Sequence, residues 1–177
     1  MHRKGLTLIE LLIVIAIVSI LAAIAMPSFN DLLRRQAING QANALFSMLY
    51  LARSEAIKRS SVVTICKSSD GQNCGGNWSD GWMMFADQNK DGAMDAGDTM
   101  ITQGRISEKI AVGWVAFGSN NYIRFTPRGM TLAQNGTFTV CPENTDEKLA
   151  RSVVVSKTAR VRIPPAGENG AGDILNC

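Results

Sequence analysis

Residues 4–26 read KGLTLIELLIVIAIVSILAAIAM, a lysine and a glycine followed by a nearly unbroken apolar run. From Leu6 to Met26 the run is 21 residues long, and a helix needs about 20 residues to cross the hydrocarbon core of a bilayer. The basic residues before the run favour a cytoplasmic N-terminus. The stretch therefore predicts one membrane-spanning helix, with the rest of the chain on the other side of the membrane.

A secretory signal peptide is the alternative interpretation of this stretch. Ala23-Ile24-Ala25 satisfies the small-x-small rule for cleavage. Glu10 argues against it, because a charged residue inside a helix that only crosses lipid costs roughly 2.5–3.5 kcal/mol on insertion scales. The apolar pattern also continues beyond Ala25 into an amphipathic segment. These features favour an anchor that is retained.

An amphipathic helix is predicted from Ser28 to about Ser60, with one gap near Gly40. Pro27 should kink or loosen the helix where the two segments meet. Apolar residues recur at spacings of three or four and are expected to pack on a sheet. This stripe consists of Phe29, Leu33, Ala37, Ala44, Met48 and Ala52, widened by Leu45, Leu49 and Ala56.

The sequence after Ser60 consists of short β-rich runs separated by Gly, Asn and Asp turns. No helical pattern lies between the runs, so the sheet is expected to be antiparallel and the fold class α+β. The eight predicted strands are Val62–Cys66, Gly81–Ala86, Met100–Arg105, Ile110–Val115, Tyr122–Thr126, Phe138–Cys141, Leu149–Ser156 and Ala159–Ile163.

Four cysteines form an even set, which in an exported chain indicates two disulfides. Three pairings are open, with buried free thiols as the other alternative. We favour Cys66–Cys74, which closes a short loop, and Cys141–Cys177, which holds the C-terminus.

The segment from Lys4 to Leu12 resembles the leader and cleavage site of type IV prepilins and type II secretion pseudopilins. The resemblance implies that a prepilin peptidase cuts after Gly5 and methylates the new amine of Leu6. Leu6 departs from the phenylalanine usual at this place. Glu10 matches the glutamate that neutralises the amine of a neighbouring subunit and sets its register. Such a pair is expected physically, because a buried amine and a buried carboxylate are each costly alone.

Four further motifs resemble the GspH/FimT/FimU group of minor pilins and pseudopilins. They are Ala52-Arg53-Ser54-Glu55-Ala56, Gly81-Trp82, Phe85-Ala86-Asp87, and Asp91-Gly92 leading to Ala96-Gly97-Asp98. The resemblance implies a type IV pilin-like fold, a long N-terminal helix packed on an antiparallel sheet.

Three segments follow from this interpretation. They are a leader at residues 1–5, a transmembrane or filament-core helix at 6–27, and an amphipathic helix with a β-rich periplasmic or extracellular head at 28–177. The chain would span the inner membrane once and then join a surface pilus. The implied partners are major and minor pilins, the prepilin peptidase, the assembly platform and membrane lipid. The alternative is a minor pseudopilin of a type II secretion system.

Composition favours a structural or binding subunit over an enzyme. The only histidine, His2, lies in the leader, and no nucleophile elbow, phosphate loop or zinc helix is present. The net charge is +3; without Arg3 and Lys4, Lys+Arg falls from 18 to 16 against 15 acidic residues, leaving +1. Any nucleic acid must therefore bind a local cationic patch.

A candidate DNA-binding patch lies in the predicted C-terminal hairpin. Arg160 and Arg162 are two residues apart and should project from one face of a strand. Lys157 lies at the turn, and Arg151 is a further candidate. Ala159-Arg160-Val161-Arg162 resembles the Gly-Arg-x-Arg motif with which FimT-like pilins contact double-stranded DNA. The missing glycine implies a different turn or register, and an ordinary solvated strand is the alternative.

No cofactor is predicted, with calcium in one loop as the exception. The oxygens occupy positions 1, 3, 5, 9 and 12 of an EF-hand-like frame with Gly92 at position 6. They belong to Asp87, Asn89, Asp91, Asp95 and Asp98. Position 12 is an aspartate where glutamate is usual and no helices flank the loop, so a solvated turn is the alternative.

Overall fold

One long helix precedes eight strands in the computed structural model, which describes residues 8–143 and 147–177. Helix α1 spans Leu8–Arg59 and continues without interruption through Pro27. The helix therefore does not end at Pro27, where the sequence predicts a kink or a loosening. The chain divides into two compact units, Met1–Gln36 and Ala37–Cys177.

The part of α1 that belongs to the second unit buries one apolar stripe in the core. The stripe consists of Ile38, Ala42, Leu45, Met48, Leu49, Ala52 and Ala56. The sequence also assigned Phe29, Leu33, Ala37 and Ala44 to this stripe, and all four are exposed. Phe29 and Leu33 precede the second compact unit, and Ala37 is its first residue. Ala44 is turned about 100° around the helix from the buried Leu45.

All eight predicted strands are present, with shifted ends. Their bounds are β1 Val62–Lys67, β2 Gly81–Asp87, β3 Thr99–Arg105, β4 Ile110–Phe117, β5 Tyr122–Phe125, β6 Asn135–Pro142, β7 Arg151–Val155 and β8 Val161–Arg162. A short 3₁₀ helix, Glu147–Leu149, precedes β7.

The strands form two four-stranded sheets, in the orders β3-β2-β1-β5 and β4-β6-β7-β8. Every strand pairing is antiparallel, as the sequence predicts. The helix stripe and residues of both sheets join in one hydrophobic core. Phe138 is fully buried at its centre. Its ring stacks on that of Trp114, with 4.3 Å between the ring centroids, and lies edge-on to that of Trp78, with 5.0 Å between the centroids.

Two disulfides close loops in this unit. They join Cys66 to Cys74 and Cys141 to Cys177, the pairs that the sequence favours. The first lies beside the buried Met83 and Phe85. The second ties the last residue of the chain to β6, so the C-terminal segment is held on the second sheet.

Candidate functional site

The first functional region is the apolar part of α1. Every large apolar side chain described from Leu8 to Met26 is more than half exposed within the chain. An 18-residue window of this helix has a mean hydropathy of 3.0 and no buried share, so it is long and apolar enough to cross a membrane. Its interior serine, Ser19, donates its hydroxyl to the carbonyl of Ile15 at 2.7 Å. The helix thus presents an apolar surface that needs lipid or other subunits to cover it.

Glu10 lies in the first turn of α1 and is exposed. A carboxylate near a helix N-terminus is favoured by the helix dipole. Gly5 and Leu6, the predicted cleavage and methylation positions, lie outside the described residues.

The second region is the hairpin formed by β7 and β8. Ala159 donates its N–H to the carbonyl of Ser156 at 2.8 Å, and Ser156 donates its N–H to the carbonyl of Arg160 at 3.0 Å. Ala159 has a φ of 55°, so the turn conformation that favours glycine is kept, contrary to the sequence-based expectation. The left-handed conformation costs an alanine roughly 1–2 kcal/mol. Its fully buried methyl group offsets part of that cost.

Arg160 and Arg162 are both exposed and flank Val161, which is buried. The arginines therefore lie on the outer face, and only the second belongs to β8, because Arg160 is part of the turn. Arg162 donates from its guanidinium to the carbonyl of Gly170. Lys157 is exposed at the turn itself.

Arg151 is separated from these three cations. It lies at the far end of β7 and is half-buried. Its guanidinium donates to Asn39 Oδ1 at 2.7 Å and to the carbonyl of Pro164 at 3.5 Å. The structure thus ties Arg151 to the helix and does not bring it to the turn.

Arg53, in the motif Ala52–Ala56, is a residue whose role the sequence did not reveal. Its guanidinium donates to the carbonyl of Ala159 at 3.4 Å, which holds the hairpin turn against α1. The partner lies 106 residues away in the chain, so no local signal could have identified the contact.

The loop that fits an EF-hand-like frame is held by its own hydrogen bonds. Asp87 is buried, and its carboxylate accepts the hydroxyl of Thr64 at 2.6 Å and the N–H groups of Lys90 and Gly92 at 2.6 and 3.1 Å. These contacts use both of its oxygens.

The other oxygens of this loop are used similarly. Asp98 accepts the N–H groups of Gln88 and Asp95 at 2.8 and 3.2 Å, while the amide of Asn89 donates to Asp91 and Asp95. Within residues 8–143 and 147–177, no three His, Cys, Asp or Glu side chains form a group that could hold a metal ion. Calcium binding stays a prediction, which calorimetry on chelator-treated protein would decide.

Two family models match the chain. "Type II transport protein GspH" matches residues 41–159, and "Prokaryotic N-terminal methylation motif" matches residues 1–26. Among curated relatives, the pilin-like protein PilA1 of Thermus thermophilus is 32% identical over 173 residues, which cover 92% of this chain and 99% of that protein.

Two solved structures share the fold. The type IV minor pilin FimU of Pseudomonas aeruginosa aligns with a TM-score of 0.58 and 19% identity, over 74% of this chain and 90% of that one. The minor pseudopilin EpsH from the type 2 secretion system of Vibrio cholerae aligns with a TM-score of 0.53 and 14% identity, over 74% of this chain and 98% of that one.

Proposed function

Since the chain belongs to the GspH family, within the GspH/FimT/FimU group of minor pilins and pseudopilins, we propose that it is a minor pilin that helps to initiate or decorate a type IV pilus. Pilins and pseudopilins are structural subunits, so the chain is not an enzyme. The observation that carries the proposal is the apolar, exposed first half of α1, a surface suited first to lipid and then to neighbouring pilins. The prepilin peptidase would process the chain while it is in the membrane, and the inner-membrane assembly platform would then transfer it into the filament.

A pilus is preferred over a type II secretion system because the relative matched over nearly its whole length is described as pilin-like. The pseudopilin EpsH shares the fold, so the secretion system remains the second candidate. Recovery of the subunit in filaments sheared from the cell surface would support the pilus. Retention in the cell envelope, together with a defect in protein export on deletion, would support the secretion system.

Gly5→Ala is expected to leave the precursor uncleaved, because a side chain at this position should block the peptidase. Mass spectrometry of protein co-expressed with a prepilin peptidase would measure the lost leader and the added methyl group. Gly40→Ala is a suitable control, since a Cβ at this helix position meets nothing within 4 Å. Normal processing of the Gly5 variant would contradict the assigned cleavage site.

DNA binding is a second proposed function, favoured by the position of the hairpin cations. The side chains of Lys157 and Arg160 are exposed and take part in no hydrogen bond or ion pair with the described part of the chain. Ion pairs of the described residues join Asp31 to Arg34 and Glu55 to Lys58 and Arg59, all on the helix and none involving Lys157 or Arg160. Lys157 and Arg160 are therefore free to neutralise phosphates, whereas Arg162 also donates to the carbonyl of Gly170.

Arg160→Ala/Arg162→Ala is expected to weaken binding of duplex DNA and to reduce its dependence on salt. Phosphate contacts carry no base information, so different duplex sequences should be affected equally. Fluorescence anisotropy of the full chain in non-ionic detergent would measure the affinity at several salt concentrations. Arg105→Ala/Lys109→Ala removes the same charge from two other exposed positions. Equal binding by the wild type and the hairpin variant would contradict a role of these arginines.

A further inference from the structure

A second turn lies against the hairpin turn. Thr131 donates both its backbone N–H, at 3.2 Å, and its hydroxyl, at 3.0 Å, to the carbonyl oxygen of Lys157. The turn before Thr131 is closed by the N–H of Gly129, which donates to the carbonyl of Thr126 at 2.9 Å. Residues 126–131 and 156–160 are therefore fixed side by side.

Arg53 of α1 is hydrogen-bonded to the second turn and lies close to the first. Its guanidinium donates to the carbonyl of Ala159, and a Cβ built on Gly129 would lie 3.2 Å from its Nε. Gly129 has a φ of 71°, so glycine suits both the turn conformation and the close approach to Arg53. The spacing of the two turns is thus set by contacts with α1 as well as by Thr131.

The charges on the two turns have one sign. Residues 126–131 read TPRGMT and residues 156–160 read SKTAR, with three basic residues and no acidic one. Arg128 is exposed at the tip of the first turn, as Lys157 and Arg160 are on the second. Its side chain forms no ion pair or hydrogen bond with the residues that the structure describes. Two loops distant in sequence therefore present one cationic surface.

We propose that Arg128 is a further phosphate-binding residue, and that Arg128, Lys157 and Arg160 together contact the DNA backbone across the two turns. This inference rests on the proposed DNA-binding function. A guanidinium can donate two parallel hydrogen bonds to a phosphate. Thr131 and Arg53 fix the two turns, so the spacing of these cations is set before DNA binds. This preorganisation lowers the entropic cost of association.

Anisotropy titrations of the full chain in detergent, with a short duplex as the probe, test this proposal. Each phosphate contact contributes about 0.9 to the slope of log affinity against log salt. Arg128→Ala should therefore lower the ratio of affinities between about 50 and 200 mM salt by roughly 3.5-fold. Arg160→Ala should act similarly, while Arg105→Ala should leave the slope unchanged.

The outcomes separate this inference from the function on which it rests. The inference alone would be overturned if the wild type binds DNA and Arg160→Ala reduces the salt slope, but Arg128→Ala leaves the slope unchanged. An equal loss for Arg105→Ala would show dependence on net charge and would overturn it as well. Absence of wild-type binding at low salt would overturn the DNA-binding function itself. Matching melting temperatures of the variants would show that the turns remain folded.

Discussion

Replacing Cys141 and Cys177 with alanine is expected to lower the free energy of unfolding of the head by roughly 4 kcal/mol. The disulfide spans 36 positions of sequence, and in the chain-entropy model a closed loop of this length restricts the unfolded chain by that amount. The C-terminal segment also loses its attachment to β6, where Cys141 lies beside the buried Ala150 and Leu175. Urea unfolding of residues 28–177 would measure the change.

Removal of the disulfide Cys66–Cys74 is the matched comparison. It spans 8 positions, for which the same model gives roughly 2.5 kcal/mol. Hydrogen bonds also hold this loop: the side-chain amide of Asn73 and the N–H groups of Asn73 and Gln72 donate to Asp70 and keep the pKa of its carboxyl well below the usual range. An equal or larger loss for the short loop would contradict the entropic explanation.

The sequence predicts the elements of the fold well because their patterns are local. In β4 the buried residues Ile110, Val112 and Trp114 alternate with exposed ones, which is the pattern of a strand with one face in the core. In β1 the run from Val62 to Cys66 is buried throughout, as expected of a strand covered on both faces. The second strand of the hairpin was predicted too long, since hydrophobic alternation does not distinguish Arg160 in the turn from Arg162 in β8.

The arrangement of the elements could not be predicted in the same way. Strand β5, Tyr122–Phe125, returns to pair with β1, whereas β4 lies in the other sheet, and neither choice leaves a local signal. The candidate site depends on contacts of the same kind. Thr131 reaches Lys157 across 26 positions, so the surface shared by two turns becomes visible only in the fold. Local sequence likewise could not show that Ala159 adopts a conformation that glycine favours.

Glu10→Ala is expected to be cleaved and methylated normally but to enter the filament at least about a hundredfold less than the wild type. In the proposed filament the carboxylate of Glu10 faces the amine of Leu6 of a neighbouring subunit, inside a bundle of apolar helices. Removing one partner of a buried ion pair leaves the other charge uncompensated and typically costs roughly 3–5 kcal/mol. Quantitative immunoblotting of sheared filaments against the membrane fraction would measure incorporation.

Two further variants separate charge from shape and position. Glu10→Gln keeps the size of the side chain and removes its charge, so it should assemble nearly as poorly as Glu10→Ala. Asp31→Ala removes from the same helix an exposed carboxylate whose Oδ1 lies 4.0 Å from a guanidinium nitrogen of Arg34. This variant should assemble normally, because an exposed ion pair contributes little. Normal incorporation of Glu10→Gln would show that the carboxylate does not neutralise a neighbour's amine, and the pairing would have to be abandoned.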